Sequence, residues 1–217
     1  RRAFDESPWA TDHALRSRCL RQLRDGLQER IEELRKITVS EVGCPISMTY
    51  GAGLDDCVRW LGDYANFLDG YEWKTDMGVA EVMGSKTQRW ILREPAGVMA
   101  AITPWNVPND INLKKLGWAM AAGCTVVLKA APTTSWCANF LGEIIATKTD
   151  VPAGAVNILT SGDNAAIGEM LTADPRVDMV GFTGSTGVGK RIGEVCGSQV
   201  KRVQLELGGK SAAIVLP

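Results

Sequence analysis

From Gly97 onward, short apolar runs without polar alternation take turns with helix-like patterns. A strand that is apolar at consecutive positions has to be buried on both faces, so this alternation restricts the chain to a parallel sheet with helices packed on either side. The runs fall at residues 98–102, 125–128, 156–159, 179–182 and 203–207. Between them the spacing predicts a helix ending near Ala122, one over about 134–147, one through Ile167, Met170 and Leu171, and one starting at Gly187. Such connections are right-handed crossovers, which makes a doubly wound α/β sheet the expected architecture.

The first third reads differently. Leu20, Leu23, Leu27, Ile31 and Leu34 recur at spacings of three and four, as on one amphipathic helix stopped by Gly43-Cys44-Pro45. A second helix is expected through Leu54, Val58, Leu61, Tyr64, Ala65 and Leu68, ending at Gly70. Trp73, Val79, Val82, Trp90 and Ile91 point to short strands or a hairpin before Arg93. The expected division is therefore residues 1–92, helices plus a hairpin or oligomerisation segment, and residues 93–217, a ligand-binding sheet.

Composition narrows the partners. At 45% hydrophobic, 23% charged and a net charge of -1, the chain has no electrostatic reason to bind nucleic acid or an anionic membrane. No apolar run is long enough to span a bilayer. The six cysteines (Cys19, Cys44, Cys57, Cys124, Cys137 and Cys196) show no metal-binding spacing and read as thiols of a reducing compartment, the cytoplasm. The opening Arg1-Arg2-Ala3-Phe4, without an initiator Met, is expected of a piece of a longer polypeptide.

Four segments follow apolar runs, where ligands of open α/β sheets bind. In Thr103-Pro104-Trp105-Asn106-Val107-Pro108, two prolines stiffen a turn that can aim the Asn106 amide as an oxyanion donor, or merely cap the next helix. Lys129 ends a buried run and needs water or an anion for its charge. Phe182-Thr183-Gly184-Ser185-Thr186-Gly187-Val188-Gly189-Lys190 is a glycine-rich turn opening a helix, fit for phosphates, although it matches neither standard nucleotide fingerprint. Glu206 in Leu205-Glu206-Leu207-Gly208-Gly209-Lys210 is either a partly buried general base or a surface acid paired with Lys201 or Lys210.

Taken in order, P-W-N, V-L-K, F-T-G-S-T-x-x-G and L-E-L-G-G-K resemble the motif series of the NAD(P)-dependent aldehyde dehydrogenase superfamily. Arg93-Glu94-Pro95-Ala96-Gly97-Val98 resembles the lead-in to its first cofactor strand. The resemblance implies a Rossmann-like cofactor domain, NAD or NADP as cofactor, an aldehyde as substrate and, for a full-length form, a homo-oligomer. It implies Asn106 as oxyanion donor and Glu206 as the base that activates water. It implies Lys129 at the adenosine ribose, Gly184 and Ser185 at the pyrophosphate, Ile102, Thr103 and Trp105 along the cofactor cleft, and Leu207 near the nicotinamide. The family's reaction begins with attack by a cysteine, followed by hydride transfer and hydrolysis of the acyl-enzyme.

Two departures matter. None of the six cysteines sits in the family's nucleophile context, which lies beyond L-E-L-G-G-K, so this stretch alone is expected not to oxidise aldehydes. Sustained aldehyde-dependent NAD(P)H formation by the purified 217 residues would refute that. Many NAD-preferring members carry Glu three residues after the strand-end Lys, where this chain has Pro132, so a 2′-phosphate meets less repulsion. Asp110 and Lys114 border the implied aldehyde channel, where they suit a polar substrate or simply form a solvated helix face. The competing reading is a non-catalytic remnant that binds nucleotide or a partner. If the chain is cut after a central strand, it is further expected to expose apolar surface and to be aggregation-prone or dependent on a partner.

Overall fold

The computed structural model describes residues 1–216. The N-terminal region consists of α1 (Arg2–Glu6), α2 (His13–Glu29), α3 (Ile31–Val42) and α4 (Asp55–Asp69), with a 3-10 turn at Pro8–Ala10. The hairpin strands β1 (Lys74–Val82) and β2 (Ser85–Leu92) follow, paired antiparallel. Their turn places Met83 and Gly84 at φ 51° and 79°, the two consecutive positive values that a two-residue hairpin loop with the twist of its strands requires.

The sheet region then alternates strictly. It runs β3 (Val98–Ile102), α5 (Pro108–Ala122), β4 (Thr125–Lys129), α6 (Ser135–Lys148), β5 (Val156–Leu159), α7 (Asn164–Ala173), β6 (Met179–Gly184), α8 (Thr186–Ser198) and β7 (Arg202–Leu207). The five strands are parallel, in the order β5-β4-β3-β6-β7. The chain winds outward from β3 through β4 to β5, then returns to the other side of β3 for β6 and β7. The winding therefore reverses between β3 and β6, and the loops leaving their carboxyl ends diverge and leave a crevice.

Two cores clothe the sheet. Met99, Ala101, Val126 and Leu128 pack beneath α5 and α6, in one continuous cluster that includes Leu20, Leu23, Leu27, Leu61 and Leu68 of the N-terminal helices. Val98, Ala100, Ile102, Val180 and Phe182 point the other way, against Ile192 and Cys196 of α8. β3 is buried at all five positions, as its unbroken apolar run predicts.

Three features differ from the sequence reading. The helix expected through Leu20–Leu34 is two helices, broken at Arg30 (φ -116°, ψ 26°). Neither Gly nor Pro marks that break. It is stabilised from outside by Arg30 pairing with Glu143 of α6 and by its guanidinium lying 4.6 Å from the Phe140 ring centroid, beside a local pair with Glu33. The last strand, β7, expected among the runs buried on both faces, is the edge of the described sheet and largely exposed. It leaves Val203 and Leu207 about two-fifths exposed. Ile31, placed on the apolar stripe, is only partly buried.

Two glycines are required where the N-terminal region meets the sheet. Gly97, at φ +117°, precedes β3, and a Cβ there would lie 2.0 Å from a carboxylate oxygen of Asp178. That same oxygen accepts the Val98 N–H at 2.7 Å. Gly123, at φ +85°, closes α5, and a Cβ there would meet Pro95 at 2.9 Å and the Ala10 carbonyl at 3.1 Å. No helix among the described residues is long and apolar enough to cross a membrane.

Candidate active site and nucleotide cleft

The crevice carries the motif residues on loops of defined origin. Thr103–Val107 link β3 to α5, whose first residue is Pro108, a position where a missing N–H costs nothing. Asn106 is exposed at the tip of this loop. The loop root is held by the Thr103 N–H, which donates to the Lys129 carbonyl at 3.1 Å, while the Thr103 hydroxyl is buried without a partner.

From the far side of the crevice comes the end of β7. Asn106, Gly184, Glu206 and Leu207 line one open groove of about 990 Å³, floored by Met99, Met179 and Gln204 and walled by α5. A polar amide and a carboxylate separated by a hundred residues thus face the same space. Glu206 is exposed rather than partly buried, and it forms no salt bridge with Lys201 or Lys210. Lys201 instead donates to the Thr172 and Asp174 carbonyls at 2.8 and 2.6 Å.

Other motif residues gather on the α8 side of the sheet. Ile102 and Lys129 are register partners in adjacent parallel strands and so point to the same face, with Phe182 next to Ile102 on β6. Lys129 is 1% exposed, and burial pushes its ammonium pKa below the ordinary lysine value with no neighbouring carboxylate to offset it. A buried ammonium without an anion is an open hydrogen-bond donor set, which fits ribose hydroxyls. Ser185 is the N-cap of α8; its hydroxyl accepts the Val188 N–H at 3.4 Å, leaving the other amide groups of the first turn free to meet an anion. Gly189 permits close approach between α8 and the end of β7, since a Cβ there would lie 2.4 Å from Leu207 Cδ2. Thr186 Oγ1 donates to the Gly208 carbonyl at 3.3 Å, joining the helix start to the same strand end. Trp105 is 59% exposed and belongs to neither the groove lining nor the core.

One groove residue escaped the sequence reading, which singled out Lys114 instead of its neighbour. Ile111, Lys114, Lys115 and Trp118 form the stripe of α5 that faces the groove. Lys114 is tied to Asp110 at 2.8 Å and lies 4.7 Å from the Trp60 ring centroid. Lys115, only 7% exposed, has its pKa lowered by burial, an effect partly offset by the Glu206 carboxylate. No sequence signal separates the two, since both fall on the same stripe of the helix and only packing buries Lys115.

The five buried thiols are poor nucleophiles. Burial pushes Cys19 to about 11 and Cys57 to about 12, and raises Cys124, Cys137 and Cys196 as well. The sixth, Cys44, lies in the loop after α3 and does not line the groove.

Comparison with known proteins bears directly on this arrangement. The sequence profile of the aldehyde dehydrogenase family matches residues 1–217. The chain belongs to the aldehyde dehydrogenase family. The putative aldehyde dehydrogenase DhaS of Bacillus subtilis is 38% identical over 220 residues, covering 100% of this chain and 43% of that protein. The NADP(+) succinate-semialdehyde dehydrogenase GabD of Escherichia coli is 34% identical, covering 92% and 40%. Among solved structures, a Mycobacterium tuberculosis aldehyde dehydrogenase complexed with NAD+ superposes with a TM-score of 0.88 at 35% identity, over 100% of this chain and 43% of that one. The chain thus spans about two-fifths of the length of the family members it matches.

Proposed function

We propose that this chain is the nucleotide-binding portion of an NAD(P)-dependent aldehyde dehydrogenase and supplies two of its catalytic groups, Asn106 and Glu206. The observation that carries this reading is that the two residues, from the ends of β3 and β7, line a single groove at the reversal of the sheet. The Asn106 side-chain N–H stabilises the oxyanion that forms when a nucleophile adds to the aldehyde carbonyl. Glu206 accepts a proton from water during hydrolysis of the acyl-enzyme. The nucleophilic cysteine belongs to a segment outside these residues, in keeping with the raised pKa values of the five buried thiols.

A nicotinamide nucleotide, when bound, would supply the hydride acceptor. Its holding residues in this chain are Lys129 for ribose hydroxyls, Gly184, Ser185 and the α8 N-terminus for the pyrophosphate, Ile102, Thr103 and Trp105 along the cleft, and Leu207 toward the nicotinamide. Pro132 begins the turn after β4 and offers no carboxylate against a 2′-phosphate.

Titration calorimetry on the purified chain tests the nucleotide half of this reading. NAD+ and NADP+ are expected to bind with comparable affinity, and Lys129→Met to weaken both about tenfold, the loss of one charge-assisted hydrogen bond. The circular dichroism spectrum of the variant should stay unchanged. Absence of saturable binding would overturn the reading, and a strong preference for NAD+ would remove the argument from Pro132.

A further inference from the structure

We infer that Lys115 is a carbonyl-condensing lysine, whose amine adds to an aldehyde in the groove and loses water to form an imine. The position carries the argument. Lys115 lines the same groove as Asn106 and Glu206, on the stripe of α5 that looks across to β6 and β7. Its ammonium lies near Gly181: a Cβ at that glycine would stand 2.4 Å from Met99 Cε, 3.5 Å from Lys115 Nζ and 3.8 Å from Gln204 Oε1. The glycine makes room for the Met99 methyl, and the amine rests against the same sheet face at ordinary contact distance.

The two adjacent lysines of α5 are placed for different work. Lys114 is 45% exposed and spends its charge on Asp110 and the Trp60 ring. Lys115 is withdrawn from water, and its amine has no hydrogen bond or salt bridge among the described residues. The other charged side chains lining the groove are Glu94, Glu206, Lys114 and Arg202. Burial favours the neutral amine, the form that attacks carbonyls, and Glu206 offsets this only in part.

The chemistry balances without an oxidant or reductant. The Nζ lone pair forms the C–N bond while the carbonyl π pair moves to oxygen, and a proton passes from nitrogen to that oxygen to give a carbinolamine. The hydroxyl then leaves as water, taking the second N–H proton relayed by the Glu206 carboxylate, and the nitrogen pair closes the C=N bond to leave imine and water. The aldehyde comes from the family reading, but the step needs neither a cysteine nor a nucleotide.

The test treats the purified chain with butanal and sodium cyanoborohydride near neutral pH, without nucleotide, and maps alkylated lysines by peptide mass spectrometry over time. Lys115 is expected to label about tenfold faster than the exposed Lys36, Lys86 and Lys190, which serve as internal standards. In Lys115→Arg, labelling at those three positions should be unchanged. Labelling of Lys115 no faster than the exposed lysines, in protein whose circular dichroism shows it folded, would overturn the inference. Nucleotide titration of the same preparation reports separately on the dehydrogenase reading, so the two can fail independently.

Discussion

Replacing Asn106 with alanine in the full-length polypeptide is expected to lower kcat by about 10²–10³-fold, the usual cost of removing one oxyanion donor. The effect should fall on kcat far more than on KM, because the amide gains strength only as charge develops on the carbonyl oxygen. Under the proposed role, the loop that carries the amide is held at both ends. Asn106 lies between Pro104 and Pro108, on a loop pinned at one end by the Thr103-to-Lys129 backbone bond and at the other by the start of α5. Little backbone freedom then has to be lost when substrate arrives, although the side-chain rotamer must still be fixed. Since Asn106 is exposed and makes no hydrogen bond to the protein framework, the variant should fold normally and bind NAD+ as the wild type does. Steady-state kinetics settle the matter: a kcat within about threefold of wild type would remove Asn106 from the chemistry.

Trp9→Ala is expected to destabilise the chain by about 4 kcal/mol, near the upper range for loss of a large core side chain. Trp9 is fully buried, and its indole N–H donates to the Cys124 carbonyl at 2.8 Å. Next to it, the Arg16 guanidinium donates to the Ala121 carbonyl at 3.1 Å and to the Trp9 carbonyl at 2.9 Å. These bonds clamp the first residues of the chain onto the turn between α5 and β4. Removing the indole leaves a cavity and a buried carbonyl with one acceptor unfilled, two costs that add. Arg16 is held in apolar surroundings with its pKa lowered to about 10, chiefly by burial, so it depends on that same packing. Equilibrium urea denaturation measures the change. A loss below about 1.5 kcal/mol would mean that the N-terminal segment is dispensable to the sheet's stability.

Much of the fold is visible in the sequence because the forces that specify it are local or periodic. The run Val98–Ile102 has to be a doubly covered strand, and Gly123 after Ala122 stops α5 by the chirality of the backbone. Tyr64, Ala65 and Leu68 repeat at the helical period, and α4 ends one residue before Gly70 as that pattern requires. The break at Arg30 is different. Nothing around it disfavours a helix, and the interactions that stabilise it come from Glu143 and Phe140, more than a hundred residues away.

The site divides along the same line. The residue types of the motifs and their place after apolar runs come from the sequence, and the order of the motifs was enough to point to the family. The sequence did not determine that Asn106 and Glu206 share a groove while Lys129 turns to the opposite face of the sheet. That follows from the strand order β5-β4-β3-β6-β7 and from side chains alternating across each strand. Nor did it separate Lys115 from Lys114, because a one-residue step along a helix is a rotation of about 100°, and only packing decides which of two neighbours faces water. What the sequence by itself determined is most of the element boundaries, which faces are apolar and which chemical groups are available. Which of those groups meet, and how much water they keep, was decided by the tertiary structure, since both depend on contacts between segments that no local pattern encodes.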